Sequence, residues 1–190
     1  MNGHPQLTRI AQDRVAEVLR DGSLAVDATV GNGHDTLFLA RQVGPSGRVW
    51  GFDVQADTLA RVQAQLEQCD LAGRVQLLHT GHEHLATALP DDALGRLAAV
   101  MFNLGYLPGG DKQLTTRPDT TLQALAASVA NLRPGGLLSV VVYRGHAGGQ
   151  QEADAVADWL RGCDMLELET LASPGPVLYL ARRRLQQRQS

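Results

Sequence analysis

The side chains of this sequence that can do chemistry gather in four segments, each at a point where an apolar run gives way to glycine or polar residues. The first reads Asp27-Ala-Thr-Val-Gly-Asn-Gly-His-Asp-Thr36. Gly31 and Gly33 permit a tight turn and the close approach of a ligand to the backbone, and a helix beginning near His34 would present unpaired N–H groups to it. Asp27, Asn32, Asp35 and Thr36 surround that turn with hydrogen-bonding groups. Only the first half of a G-x-G-x-x-G pattern is met, since the third glycine position holds Thr36, so the motif is weak evidence for a dinucleotide. Asp53 follows about 20 residues beyond the turn, the spacing at which an acid accepts hydrogen bonds from the hydroxyls of a ribose. Gln55 borders the same position. Plainer alternatives stand beside both: a glycine turn kept for packing, and Asp53 as an ordinary helix N-cap.

The second segment, His79-Thr-Gly-His-Glu-His84, holds three histidines. A zinc site draws three or four ligands into one tetrahedral set, and no fourth candidate is evident, so no metal is expected. Gly81, His82 and Glu83 are instead expected to form a lip over a bound adenine. The third segment, Phe102-Asn-Leu-Gly-Tyr-Leu-Pro-Gly-Gly-Asp-Lys112, is the most distinctive. Asn103 can offer its amide oxygen to an amine N–H, and Lys112 suits a phosphate. Tyr106 can stack on a base, which contributes about 1–3 kcal/mol in single-stranded recognition. The fourth, Tyr143-Arg-Gly-His-Ala-Gly-Gly149, brings Tyr143, Arg144 and His146 to one loop. His146 titrates near neutrality and is a candidate general base, with plain polar surface as the alternative.

These segments need a frame. Residues 5–19 carry Leu7, Ile10, Ala11, Val15, Val18 and Leu19 near one face at helical spacing. Short apolar runs follow at 24–27, 48–53, 75–80, 97–102 and 137–142, separated by helical patterns at 34–43, 56–69, 119–132 and 150–161. This strand, helix, strand rhythm predicts a parallel sheet covered by helices on both faces. The runs at 165–171 and 177–183 are joined by Ala172-Ser-Pro-Gly-Pro176, too short for a helical crossover, so they are expected to pair antiparallel. In an open α/β sheet the ligand lies beyond the carboxyl ends of the strands, where all four segments fall.

With 190 residues and 44% hydrophobic content, the chain has the size of one domain over 1–190 with a full core and a basic tail at 182–190. Its formal charge of −3 excludes a generally basic nucleic-acid surface, so a polyanion must be held by a local patch. Among its 17 basic residues Lys112 is the only lysine. Arg182, Arg183, Arg184 and Arg188 can grip such a partner or form a solvated tail. Two cysteines, Cys69 and Cys163, are too few for a disulfide scaffold. No leader pattern is evident and no apolar stretch nears the roughly 20 residues of a membrane span, so a cytoplasmic protein without membrane contact is expected.

Five parallel strands and a terminal antiparallel pair resemble the Rossmann-like seven-stranded class I fold of S-adenosylmethionine-dependent methyltransferases. Amino-group methyltransferases place Asp or Asn, then Pro-Pro-Tyr or similar, where Asn103-Leu-Gly-Tyr106 stands. More specifically, the chain resembles the bacterial tRNA wobble-uridine methyltransferases that act on 5-aminomethyl-2-thiouridine, a family earlier labelled rRNA methylases. The resemblance rests on the segments at 27–40, 52–55, 102–112 and 143–149, in the expected order along nearly the whole chain; Ala147 departs from it, since proline usually follows the histidine. It implies S-adenosylmethionine as cofactor. The turn residues Asp27, Gly31, Asn32, Gly33, Asp35 and Thr36 would bind it, together with Asp53, Gln55, His82, Glu83 and Asn103. It also implies a tRNA anticodon stem-loop as partner, with Asn103, Tyr106, Tyr143 and His146 at the chemistry and Tyr106, Lys112 and Arg144 on the substrate. A homodimer is compatible with a domain of this size.

Composition and spacing alone leave other readings open. A nicotinamide-dependent oxidoreductase would share Gly31, Gly33 and Asp53, and a non-catalytic RNA-binding module would share the fold. A methyltransferase acting on rRNA, a small molecule or a protein would share the cofactor site. If the tRNA reading holds, Lys112→Ala should weaken tRNA binding in a filter assay and leave S-adenosylmethionine binding by calorimetry nearly unchanged.

Overall fold

A computed structural model describes residues 4–105, 116–145 and 148–185. The chain opens with α1 (His4–Ala16), then β1 (Leu24–Asp27), α2 (His34–Gln42), β2 (Arg48–Asp53), α3 (Ala56–Gln68) and β3 (Val75–His79). The short α4 (Leu85–Ala88) leads to β4 (Leu97–Leu104), α5 (Pro118–Asn131) and β5 (Leu132–Val142). Then come α6 (Gly149–Arg161), β6 (Leu166–Ala172) and β7 (Val177–Arg183). One sheet holds all seven strands in the order β3-β2-β1-β4-β5-β7-β6.

The first five strands pair in parallel and β7 runs antiparallel to both β5 and β6, as the short 172–176 connection requires. The hairpin lies with β7 inside and β6 at the edge, so β6 points the same way as the first five. Alternate residues of the central strands face opposite layers. Val26, Val100 and Phe102 pack beneath α5 and α6 with Leu125 and Leu160. Ala25, Ala99 and Met101 pack on the other side with Leu39 and Val62, under α1, α2 and α3. Burial on both faces explains why these strands read as continuous apolar runs rather than as alternating patterns.

Most boundaries fall within one residue of the sequence expectation, and three differ by more, each for a physical reason. Helix α1 stops at Ala16, and Val18 and Leu19 continue it only as turns, donating to Val15 and Ala16. Both still pack on the core, so helical spacing there records burial rather than helical hydrogen bonding. Strand β4 runs on to Leu104, which makes Asn103 a strand residue rather than the start of a loop. Strand β5 starts at Leu132 and includes Pro134 and Gly135, with a register shift against β4 between Leu97 and Ala99. Proline and glycine are tolerated at such an irregularity. A side chain on Gly136 would lie 2.9 Å from the carbonyl oxygens of Arg133 and Leu97. The arginines at the end of β7 are partly used by the scaffold: Arg182 donates to Gly135 O at 3.1 Å and Arg184 to Leu166 O at 3.1 Å. Among the described residues no helix is long and apolar enough to cross a membrane.

The chain builds outward from β1 to β3 and then returns to β4 on the other side, so a crevice opens at the carboxyl ends of β1 and β4, where the strand order reverses. The turn after β1 closes over Gly51 of β2, where a Cβ would lie 2.7 Å from Val30 Cγ2 and 2.9 Å from Leu77 Cδ2. Gly33 caps α2 at φ 80°, and a Cβ there would meet Val62 Cγ2 at 2.8 Å. Gly33→Ala should therefore lose about 1–2 kcal/mol from the left-handed conformation alone. Denaturant unfolding should show a lowered midpoint at unchanged slope.

Candidate active site

The first turn is built around two buried acids. Asp27, closed off from solvent, ends β1 and accepts the Thr36 hydroxyl at 2.6 Å and the Thr29 N–H at 3.1 Å. Asp35, only 7% exposed in the first turn of α2, accepts Gln12 Nε2 of α1 at 2.7 Å and Asn103 Nδ2 of β4 at 2.5 Å. The Asn103 N–H donates to Thr29 Oγ1 at 2.7 Å, so Asn103 ties the tip of β4 both to the turn after β1 and to α2. Burial, reinforced by the neighbouring Asp35 charge and opposed by the Thr36 and Thr29 hydrogen bonds, pushes Asp27 up to about 7.

Asp53 has a different setting at the end of β2. It is half-buried, and its two oxygens each accept one backbone N–H, from Gly31 at 2.9 Å and from Gln55 at 2.8 Å. Gln55, not Asp53, is the N-cap of α3. A carboxylate oxygen has room for more than one donor, so Asp53 is held in place with capacity left for a diol. Asn32 sits half-buried at the crest of the same turn.

The three histidines diverge. His79 Nε2 lies 3.0 Å from Val54 O, and His84 is exposed beside Glu83. His82, expected on the adenine lip, turns its side chain inward: Nδ1 lies 3.2 Å from Ala28 O and the ring meets Phe102 edge-on at 5.6 Å. Burial holds His82 below its ordinary pKa, so the neutral imidazole donates from Nδ1 and braces the first turn from behind. The Glu83 carbonyl accepts Gln123 Nε2. Among the described residues no three His, Cys, Asp or Glu side chains are grouped to hold a metal ion.

At the end of β5, Tyr143 is half-buried, its N–H donating to Leu104 O at 2.9 Å. Burial and then the Asp35 charge raise its pKa, so its phenol is a hydrogen-bond donor at neutral pH and not a base. Arg144, expected on a phosphate, gives Nε to Gly175 O at 3.0 Å and Nη2 to Ser173 O at 2.9 Å, tying down the β6–β7 turn. Tyr106, Lys112 and His146 lie outside the described residues. Sequence reasoning missed Gln12 and Thr29. Neither carries a local signal, since both work through partners remote in the chain.

Asp53 thus borders the crevice with Asp27 and Asp35 buried close by, and among the described residues none of the three forms an ion pair with a lysine or arginine. Such a lining disfavours a pyrophosphate. Its acidic character fits a nucleoside that carries positive charge. This sheet order and this crevice define a Rossmann-like methyltransferase of the class that uses S-adenosylmethionine.

Comparison with known proteins sharpens the class. The family model described as "Putative rRNA methylase" matches residues 49–173. The chain is 39% identical over 162 residues to the tRNA (mnm(5)s(2)U34)-methyltransferase, chloroplastic, of Arabidopsis thaliana, covering 81% of this chain and 58% of that protein. A crystal structure titled as a putative rRNA-methylase from Clostridium thermocellum superposes with a TM-score of 0.87 at 36% identity, covering 93% of this chain and 97% of the other. One titled as a putative methyltransferase from Streptococcus mutans, in complex with SAH, superposes with a TM-score of 0.82 at 31% identity and the same coverage. The chain belongs to the rRNA methylase family. It spans a little over half the length of the plant relative.

The raised pKa of Asp27 predicts pH-dependent cofactor binding: a proton on this buried carboxyl removes a negative charge close to the crevice, so affinity for a cationic ligand is expected to rise with pH through about 7. S-adenosylmethionine affinity by calorimetry should increase up to about tenfold between roughly pH 6 and pH 8, and Asp27→Asn should flatten that dependence.

Proposed function

We propose that the protein transfers a methyl group from S-adenosylmethionine to the primary amine of 5-aminomethyl-(2-thio)uridine at the wobble position of tRNA, giving the 5-methylaminomethyl product. The observation that carries this reading is the Asn103 to Asp35 hydrogen bond. It commits the Asn103 amide nitrogen to the carboxylate and turns Oδ1 to the opposite side as an acceptor for an amine N–H. The name of the plant relative supports the substrate.

When bound, the cofactor supplies a methyl group on a sulfonium, open to in-line displacement. Asn103 Oδ1 accepts one amine N–H and aims the nitrogen lone pair at that methyl. Alignment at roughly 3–3.5 Å supplies much of the acceleration, so no strong base is needed. The amine must be neutral to attack, and the proton it sheds afterwards passes to solvent or to His146. Tyr143, protonated, positions rather than deprotonates. Tyr106 is assigned to stacking on the uracil and Lys112 to a flanking phosphate, both from the sequence pattern. Arg144 contributes by holding the β6–β7 turn.

The family description favours ribosomal RNA as a second substrate class. Incubation with tRNA from a strain lacking this modification, and in parallel with unmodified ribosomal RNA, followed by nucleoside mass spectrometry, separates the two. A gain of one methyl group on the aminomethyl uridine is expected; none there sinks the tRNA reading, and a gain on ribosomal RNA replaces it. Asn103→Ala should lower turnover about 100-fold with cofactor binding largely kept. Wild-type turnover in that variant would remove Asn103 from the orienting role.

A further inference from the structure

Glu152 occupies the first turn of α6, yet it is only 1% exposed and among the described residues pairs with no lysine or arginine. Both of its oxygens are engaged by threonines from elsewhere in the chain. Oε1 accepts the Thr121 hydroxyl of α5 at 2.7 Å, and Oε2 accepts the Thr116 hydroxyl at 2.6 Å. Thr116 in turn donates its N–H to Gly105 O at 3.2 Å. Gly105 stands two residues beyond Asn103, and the intervening Leu104 is buried and accepts the Tyr143 N–H at 2.9 Å.

We propose that Glu152 is a positioning residue for the methyl transfer, acting through Thr116 and Gly105 on the tip of β4 that carries Asn103. Burying a carboxyl group is costly unless its oxygens are satisfied, and an apolar side chain would fill the contact between α5 and α6 as well or better. What an apolar side chain would lack is direction. Thr121 anchors one oxygen to α5, which leaves the other aimed at Thr116 along a fixed line. The backbone of Glu152 is anchored too, its N–H donating to Gly148 O at 3.0 Å, so α6 also ties this link to the end of the 143–149 loop. The distance between Gly105 and Thr116 is therefore set from the helical layer. This inference rests on the reading that Asn103 orients the substrate amine.

The test uses Glu152→Ala, Glu152→Gln and Thr116→Val in the full chain. Glutamine keeps both contacts, because its oxygen accepts one hydroxyl and its amide donates to the other. Turnover on the undermodified tRNA should fall about 10- to 100-fold in Glu152→Ala and Thr116→Val, with the dissociation constant for SAH unchanged. Glu152→Gln should stay within about threefold of wild type on both measures. Independently of any substrate, exchange of the Thr116 amide, read by NMR, should accelerate in Glu152→Ala while the Val100 and Phe102 amides remain protected. Wild-type turnover in Glu152→Ala and Thr116→Val, SAH affinity falling in step with turnover, or Glu152→Gln as defective as Glu152→Ala would each overturn the proposal. If the wild-type protein leaves that tRNA unmethylated, the substrate reading has failed. The Thr116 exchange then decides on its own, and an unchanged rate in Glu152→Ala overturns the positioning role.

Discussion

The polar interior of this protein is organised by the need to bury carboxyl groups at the one place where the sheet changes direction. Asp27 has no exposure and Asp35 almost none, and neither has a cationic partner among the described residues. Each must then be satisfied by neutral donors, and those donors are drawn from four separate elements. Thr36 comes from α2, Gln12 from α1, Asn103 from β4, and the Thr29 backbone from the turn itself. Docking of α1 on the sheet, the pitch of α2 and the tip of β4 all follow from that requirement as well as from apolar packing.

The same constraint shapes the chemistry. Three aspartates share a residue type and one end of the sheet but not an environment. Asp27 is desolvated and pushed up, Asp35 is held by two side-chain amides, and Asp53 is half-buried between two backbone donors. A crevice so lined attracts positive charge and repels phosphate, which separates a sulfonium-bearing nucleoside from a dinucleotide more sharply than the incomplete glycine pattern does. Around it, residues with the look of catalytic groups carry the scaffold. His82 props the turn at Ala28, and Arg144 binds the carbonyls of a distant hairpin turn.

Much of this frame is legible in the sequence because parallel strands buried on both faces leave continuous apolar runs. The bounds of β1, β2 and β7 coincide with those runs. Legibility fails where burial and hydrogen bonding part company. Val18 and Leu19 are half-buried without being helical, Asn103 is polar yet belongs to a strand, and Pro134 and Gly135 sit inside β5 at an irregularity. The candidate residues Asp27, Asp53 and Asn103 at strand ends, and Asp35 and Thr36 in the helix that follows β1, are readable because the topology of an open α/β sheet sends the carboxyl ends to one side.

Sequence by itself determined the order of elements, the side of the sheet that carries the chemistry, and the residue types available there. Those follow from periodicity and turn composition, which are local. Which of those residues meet was decided only by the tertiary structure. The Gln12 to Asp35, Asn103 to Thr29 and Glu152 to Thr121 bonds join residues 23, 74 and 31 positions apart. A hydrogen bond across such separations has no periodic trace, because its partners are brought together by the packing of whole elements and not by the spacing between the residues themselves.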